Sequence, residues 1–173
     1  MVFFLKLLAC IAACITYGAG LWLQPFSPVT FILGIPVCLW LVSFLHELGH
    51  LLAFLLLKLE WKRMVISFFV FERRKGVRVD RRQRLFAASC TCAHRTTVPL
   101  WRYRIALLSG GGLTLALSAA FWVIFAFSGG WLAAFSLCFG SLCLLNAVVN
   151  LLLPFSADRI LLKRIKIERE NSQ

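Results

Sequence analysis

The sequence predicts an all-α integral membrane protein, with about four transmembrane helices and a small membrane-associated β-hairpin after the second helix. Three observations carry this. The chain is 61% apolar, with 16 Phe and 6 Trp among 173 residues, whereas a soluble domain is nearer half apolar. Several apolar runs exceed the roughly 18 residues that mark a spanning helix. The basic residues are also segregated: of 19 Lys and Arg, 13 fall between Lys58 and Arg104, five follow Asp158, and the last is Lys6. With no long linker, repeat or low-complexity segment, residues 1–173 read as a single membrane-embedded domain.

The first helix is expected over about 2–22. Lys6, near its start, can snorkel to the interface. Its apolar stretch runs past Cys10 and Cys14 without a cleavage-like boundary, so it reads as a retained helix rather than a signal peptide. Pro25 and Pro28 punctuate an uncharged turn over 24–30. The second helix is expected over about 29–58, with Lys58 and Trp61 as interfacial anchors. Met64 to Asp80 changes character. Val65–Phe71 is rich in β-branched and aromatic residues, 72–76 is a charged turn ending in Gly76, and Val77–Asp80 alternates. This predicts a β-hairpin over about 64–80. The third helix is expected over about 105–127, with Ser109-Gly110-Gly111-Gly112 allowing close approach of a neighbour. The fourth is expected over about 131–153, after Gly129-Gly130. A basic, helical tail follows over 159–173.

The second apolar run contains His46-Glu47-Leu48-Gly49-His50, an H-E-x-x-H pentapeptide. On a helix the two histidines lie one turn apart on one face, where both imidazoles can hold one Zn²⁺, and Glu47 is placed beside them as a general base. The setting sharpens the signal, because a carboxylate near a bilayer interior costs a few kcal/mol unless something compensates it. His50 precedes Lys58 by eight residues, which sets the metal roughly 12 Å inside that face. A catalytic zinc takes three protein ligands and keeps one position open. Glu60 lies too far along the same helix, Glu72 is in the hairpin turn, and His94 is in the basic loop. Asp158 is the acidic residue at the end of another membrane helix, on the side of His50. It is the candidate third ligand, or else an interfacial partner of Arg159 or Lys163. Cys90-Thr91-Cys92-Ala93-His94 offers soft ligands but lacks a fourth ligand and the pair spacing of zinc modules.

Charge orients the chain. Four spans place every basic cluster on one side, which the positive-inside rule makes the cytosol. The expected localisation is the cell membrane, multi-pass, with both termini cytosolic. The net charge of +12 then faces anionic lipid at the cytosolic face rather than nucleic acid. The cysteines of the membrane runs and the cytosolic loop imply no disulfides.

At this point the chain resembles a family. His46-Glu47-Leu48-Gly49-His50, followed by Asn150-Leu-Leu-Leu-Pro154-Phe-Ser-Ala-Asp158, is similar to the site-2 protease family of intramembrane zinc metalloproteases, of the compact bacterial type. That family pairs H-E-x-x-H with N-x-x-P-x-x-x-x-D-G on a later helix. The Asn-to-Asp spacing is kept, the proline is shifted by one residue, and Arg159 stands where the family has Gly. Ser109-Gly110-Gly111-Gly112-Leu113-Thr114 resembles the family's S-G-P-x-x-N, with Gly111 for Pro and Thr114 for Asn. The hairpin has a family counterpart in a membrane-associated β segment. The likeness covers about residues 29–160.

The resemblance implies a zinc metalloendopeptidase that hydrolyses peptide bonds within or beside transmembrane segments. Its substrate would be a single-span membrane protein or a signal-peptide-like segment. Zn²⁺ is expected on His46, His50 and Asp158, with Glu47 as the general base. Asn150 is the candidate oxyanion donor, although Asn146 and Asn150 serve equally well as interhelical hydrogen-bonding groups. A substrate helix must be presented in extended form, and the Val65–Phe71 stretch is a candidate edge for strand addition. Two alternatives stand beside this: a catalytically inactive pseudoprotease that binds membrane segments, suggested by Thr114 and Arg159, and a prenyl-type peptidase, for which no suitably placed Glu exists.

Overall fold

The computed structural model of the protein describes residues 2–82, 84, 87–93, 98–154 and 156–170. It is mostly helical. Four helices are long and apolar enough to cross a membrane: α1 (Val2–Leu23), α2 (Pro28–Leu56), α3 (Leu100–Phe127) and α4 (Gly130–Leu152). α5 (Ala157–Glu170) follows and is charged along one face. Large apolar side chains such as Leu8, Ile15, Ile32, Leu115, Val123 and Leu145 stand exposed on the outside of the four long helices, an apolar surface far larger than a water-soluble monomer presents.

The helix ends follow from local chemistry. Ser27 precedes Pro28 at the first turn of α2, where a missing N–H costs nothing. The C-terminus of α2 is a Schellman motif. Leu59 N–H donates to Phe54 O at 2.8 Å and Lys58 N–H to Leu55 O at 3.2 Å. Lys58 takes the left-handed conformation, φ 54°, and Phe54 and Leu59 supply the buried apolar contact of that motif. α3 begins at Leu100, before the expected 105. Arg102 and Arg104 extend the helix beyond the apolar run, and Pro99 sets its start.

The β segment differs from the expected hairpin. It is a four-stranded antiparallel sheet of β1 (Glu60–Ile66), β2 (Phe69–Glu72), β3 (Gly76–Val79) and β4 (Ala88–Ala93), in the order β3-β2-β1-β4. Val65–Phe71 is not one strand. The chain folds back at Ser67-Phe68, where Ser67 adopts φ 52°. The bend is held by Ser67 N–H to Ala87 O at 2.6 Å and by Trp40 Nε1–H to Ser67 Oγ at 2.5 Å. Nor is that stretch an edge, because β1 is flanked by β2 and β4, and β2 by β1 and β3. The strand-addition reading of Val65–Phe71 therefore fails: those backbone groups already have partners. β4 escaped the pattern because Ala-Ser-Cys-Thr-Cys-Ala shows little alternation of apolar bulk.

Two apolar clusters organise the helices. Tyr17, Leu21, Cys38, Val42, Phe139 and Cys143 join α1, α2 and α4. Ala53, Phe54, Tyr103, Ala106, Leu107 and Ile165 join α2, α3 and α5. The H-E-x-x-H turn lies on α2 between the two. Small residues let α3 and its neighbours close up: Ser109 Oγ donates to Gly49 O at 2.9 Å and Ser118 Oγ to Gly140 O at 2.9 Å.

Candidate metal centre

His46, Glu47 and His50 are buried on α2, with 7%, 5% and 2% of their surface exposed. The helical spacing puts both imidazoles on one face, and their Nε2 atoms lie 3.1 Å apart. Asp158, in the first turn of α5, completes the group. Its Oδ2 is 3.3 Å from His46 Nε2 and its Oδ1 is 3.3 Å from His50 Nε2. Asp158 thus turns to the histidines, while Arg159 turns the other way and donates to Leu151 O. The interfacial pairing of Asp158 with Arg159 is not what the geometry shows.

Whether these residues suit a metal can be tested on their protons. His50 Nδ1 lies 2.9 Å from Ala106 O. A carbonyl only accepts, so Nδ1 carries the hydrogen, and in the neutral imidazole Nε2 keeps its lone pair. That lone pair faces a second imidazole nitrogen and a carboxylate, a set of groups able to donate electron pairs to one cation. Asp158 Oδ2, His46 Nδ1 and Glu47 Oε2 are buried without a hydrogen-bond partner among the described residues, an arrangement that costs free energy unless a cation is present. The spacing agrees. The two Nε2 atoms stand 3.1 Å apart, near the ~3.3 Å between ligands about 2.0–2.2 Å from a tetrahedral ion, and one ligand atom from each of the three residues lies within 4.8 Å of the others. His46, His50 and Asp158 can therefore hold a metal ion.

Two neighbours shape the group. Gly110 of α3 lies against both imidazoles: a Cβ there would meet His50 Nε2 at 2.7 Å and His46 Cε1 at 2.8 Å. Its lack of a side chain is what lets α3 approach, and only the assembled helices reveal this use. The α4–α5 junction then sets Asp158. Ser156 Oγ donates to Asn150 O at 3.2 Å, and Arg159 satisfies Leu151 O. Residues on both sides of Asp158 thus bind the last carbonyls of α4, which a helix end leaves open. Neither Gly110 nor Ser156 was singled out as a site residue from the sequence; Gly110 had a signal only in its small-residue run.

The other candidates separate. The Asn150 amide nitrogen is turned along its own helix, donating to Asn146 O at 3.0 Å. The Thr114 hydroxyl, 3.0 Å from Gly111 O on its own helix, also stands 3.3 Å from Asn146 Oδ1, so the asparagine pair faces α3. Glu72 pairs with Arg78 at 2.5 Å in the sheet. Cys90 sits in β4 opposite Met64, while His94 and the Cys92 side chain lie outside the described residues. No protein-family model, curated protein or solved structure matches the chain.

Proposed function

We propose that the protein is an intramembrane zinc metalloprotease of the site-2 type, inserted through its four apolar helices with both termini in the cytosol. The observation that carries this reading is the convergence of His46 Nε2, His50 Nε2 and the Asp158 carboxylate beside Glu47. Zn²⁺ held there supplies a Lewis acid for the scissile carbonyl and lowers the pKa of water. The chain's own groups do the rest. Glu47, on the same turn, accepts the proton of the attacking water and delivers it to the leaving amine. The Ala106 carbonyl holds His50 in one tautomer and orientation. Burial of the cluster excludes bulk water and strengthens each of these contacts. The substrate is a single-span membrane protein or a signal-peptide-like segment, and the basic sheet and α5 face anionic lipid on the cytosolic side.

The test is cleavage of single-span peptides by the purified protein in liposomes, with metal counted in each variant. Wild type is expected to cleave and to hold zinc. Glu47→Gln is expected to keep the metal and lose at least about 10²-fold in rate, and Asp158→Ala is expected to lose the metal. Cleavage undiminished in Glu47→Gln, or a wild type devoid of metal, would overturn the reading. Zinc retained without cleavage of any peptide would favour a non-cleaving binder of membrane segments.

A further inference from the structure

A second feature shares no residue with the His46–His50–Asp158 group. A cavity of about 450 Å³ opens between α1, α2 and the Ser67-Phe68 bend, with Lys6, Cys10, Cys14, Pro36, Trp40 and Phe68 in its wall. Its wall is otherwise apolar. The Trp40 N–H is already given to Ser67 Oγ, so the indole presents hydrocarbon. Lys6 is the one charged residue in the wall, and no Asp or Glu lines it among the described residues. The Lys6 ammonium stands 6.0 Å from the centre of the Phe68 ring, at one end of the space. Along α1 the wall runs from Lys6 to Ile15, roughly 13 Å at the helical rise. The shape is therefore a slot with a cation at its mouth and hydrocarbon along its length.

We propose that this slot is a binding site for one anionic phospholipid of the leaflet that meets the sheet, with its phosphate on Lys6 and an acyl chain lying between α1 and α2. The charge selects the head and the apolar wall selects the tail. A zwitterionic lipid offers the same tail but sets a second ammonium or choline near Lys6. A phospholipid seated here also fills the space beside the Trp40–Ser67 bond that anchors the sheet to α2, so occupancy bears on how firmly the sheet is held. This site is separate from the His46–His50–Asp158 group and does not rest on protease activity.

Native mass spectrometry of the full chain, released from mixed micelles of phosphatidylglycerol and phosphatidylcholine with identical acyl chains, tests this. Wild type is expected to retain one lipid, with phosphatidylglycerol favoured about fivefold, the selectivity one lysine near the surface provides. Lys6→Gln is expected to bring the two lipids to parity without losing the phosphatidylcholine adduct. Ala13→Trp, which fills the slot, is expected to lower both adducts, and Ala9→Phe does the same should the tryptophan variant fail to fold. Metal content of each variant reports that the remote centre is intact. Equal retention by all variants would reduce the bound lipid to an annulus and overturn the proposal. A phosphatidylglycerol preference untouched by Lys6→Gln would assign the selectivity to the basic sheet and overturn it too.

Discussion

Gly110 shows how much a single position decides. The sequence marks Ser109-Gly110-Gly111-Gly112 as a place where helices can approach, but it does not distinguish one glycine from the next. In the folded chain the space for a Cβ at Gly110 is taken by the two imidazoles, whereas at Gly112 there is nothing within 4 Å. Gly110→Ala is expected to push α3 off α2 and weaken metal affinity at least about tenfold, the lower end of what disturbing a ligand's surroundings costs. Gly112→Ala is expected to leave affinity unchanged. Competition with a chelating dye measures both, and equal behaviour of the two variants would remove Gly110 from the centre. His50 makes the same point through chemistry. Its place one turn from His46 is legible in H-E-x-x-H, but the tautomer is set by Ala106 O, a backbone atom on another helix.

At the scale of elements, the break between α4 and α5 is what creates a third ligand. Asp158 sits in the first turn of a separate helix, not at the end of α4. Ser156 and Arg159 fix that turn against Asn150 O and Leu151 O. The Arg159 guanidinium closes a helix end that would otherwise expose carbonyls. Arg159→Gln, and Ser156→Ala to a smaller degree, are expected to weaken metal binding about 10- to 100-fold. Lys163→Gln, at an exposed position of the same helix, is expected to have no effect. Metal affinities in detergent decide this, and an Arg159→Gln variant with wild-type affinity would make the junction irrelevant to the ligand. The sheet carries a parallel lesson. Its hairpin signal was real for β2 and β3, but the bend at Ser67 depends on Trp40, and β4 depends on pairing with β1. Neither partner is near in sequence, so no local pattern could announce them.

For the whole molecule, a metal on His46, His50 and Asp158 would cross-link α2 to α5, joining residues more than 100 positions apart in the sequence. Ligand binding to the folded state alone stabilises by about 2.7 kcal/mol at a free concentration 100 times Kd. Chelation is therefore expected to lower the thermal midpoint of the wild type, and to leave that of Asp158→Ala unmoved. A midpoint indifferent to chelator in the wild type would argue that the three ligands hold no ion in solution. Topology gives an independent check. Reporters active only outside the cytosol are expected to work when fused after Gln24 or Gly129, and to fail after Lys75 or Glu170. The opposite pattern would invert the proposed orientation.

The sequence by itself determined the four apolar helices, the presence of a β segment after the second, and the placement of two histidines and a glutamate on one helical turn. Hydropathy and the helical repeat act over a few turns, so they can be read along the chain. It also nominated Asp158, by elimination and by resemblance. Only the tertiary structure decided that Asp158 meets both imidazoles and that the Asn150 amide is spent on Asn146. The closeness of Gly110, the fourth strand and the slot beside Lys6 were decided there too. Each of these is a meeting between elements distant in sequence. Such meetings are set by which helix faces can pack closely and by which backbone groups remain to be satisfied once they do.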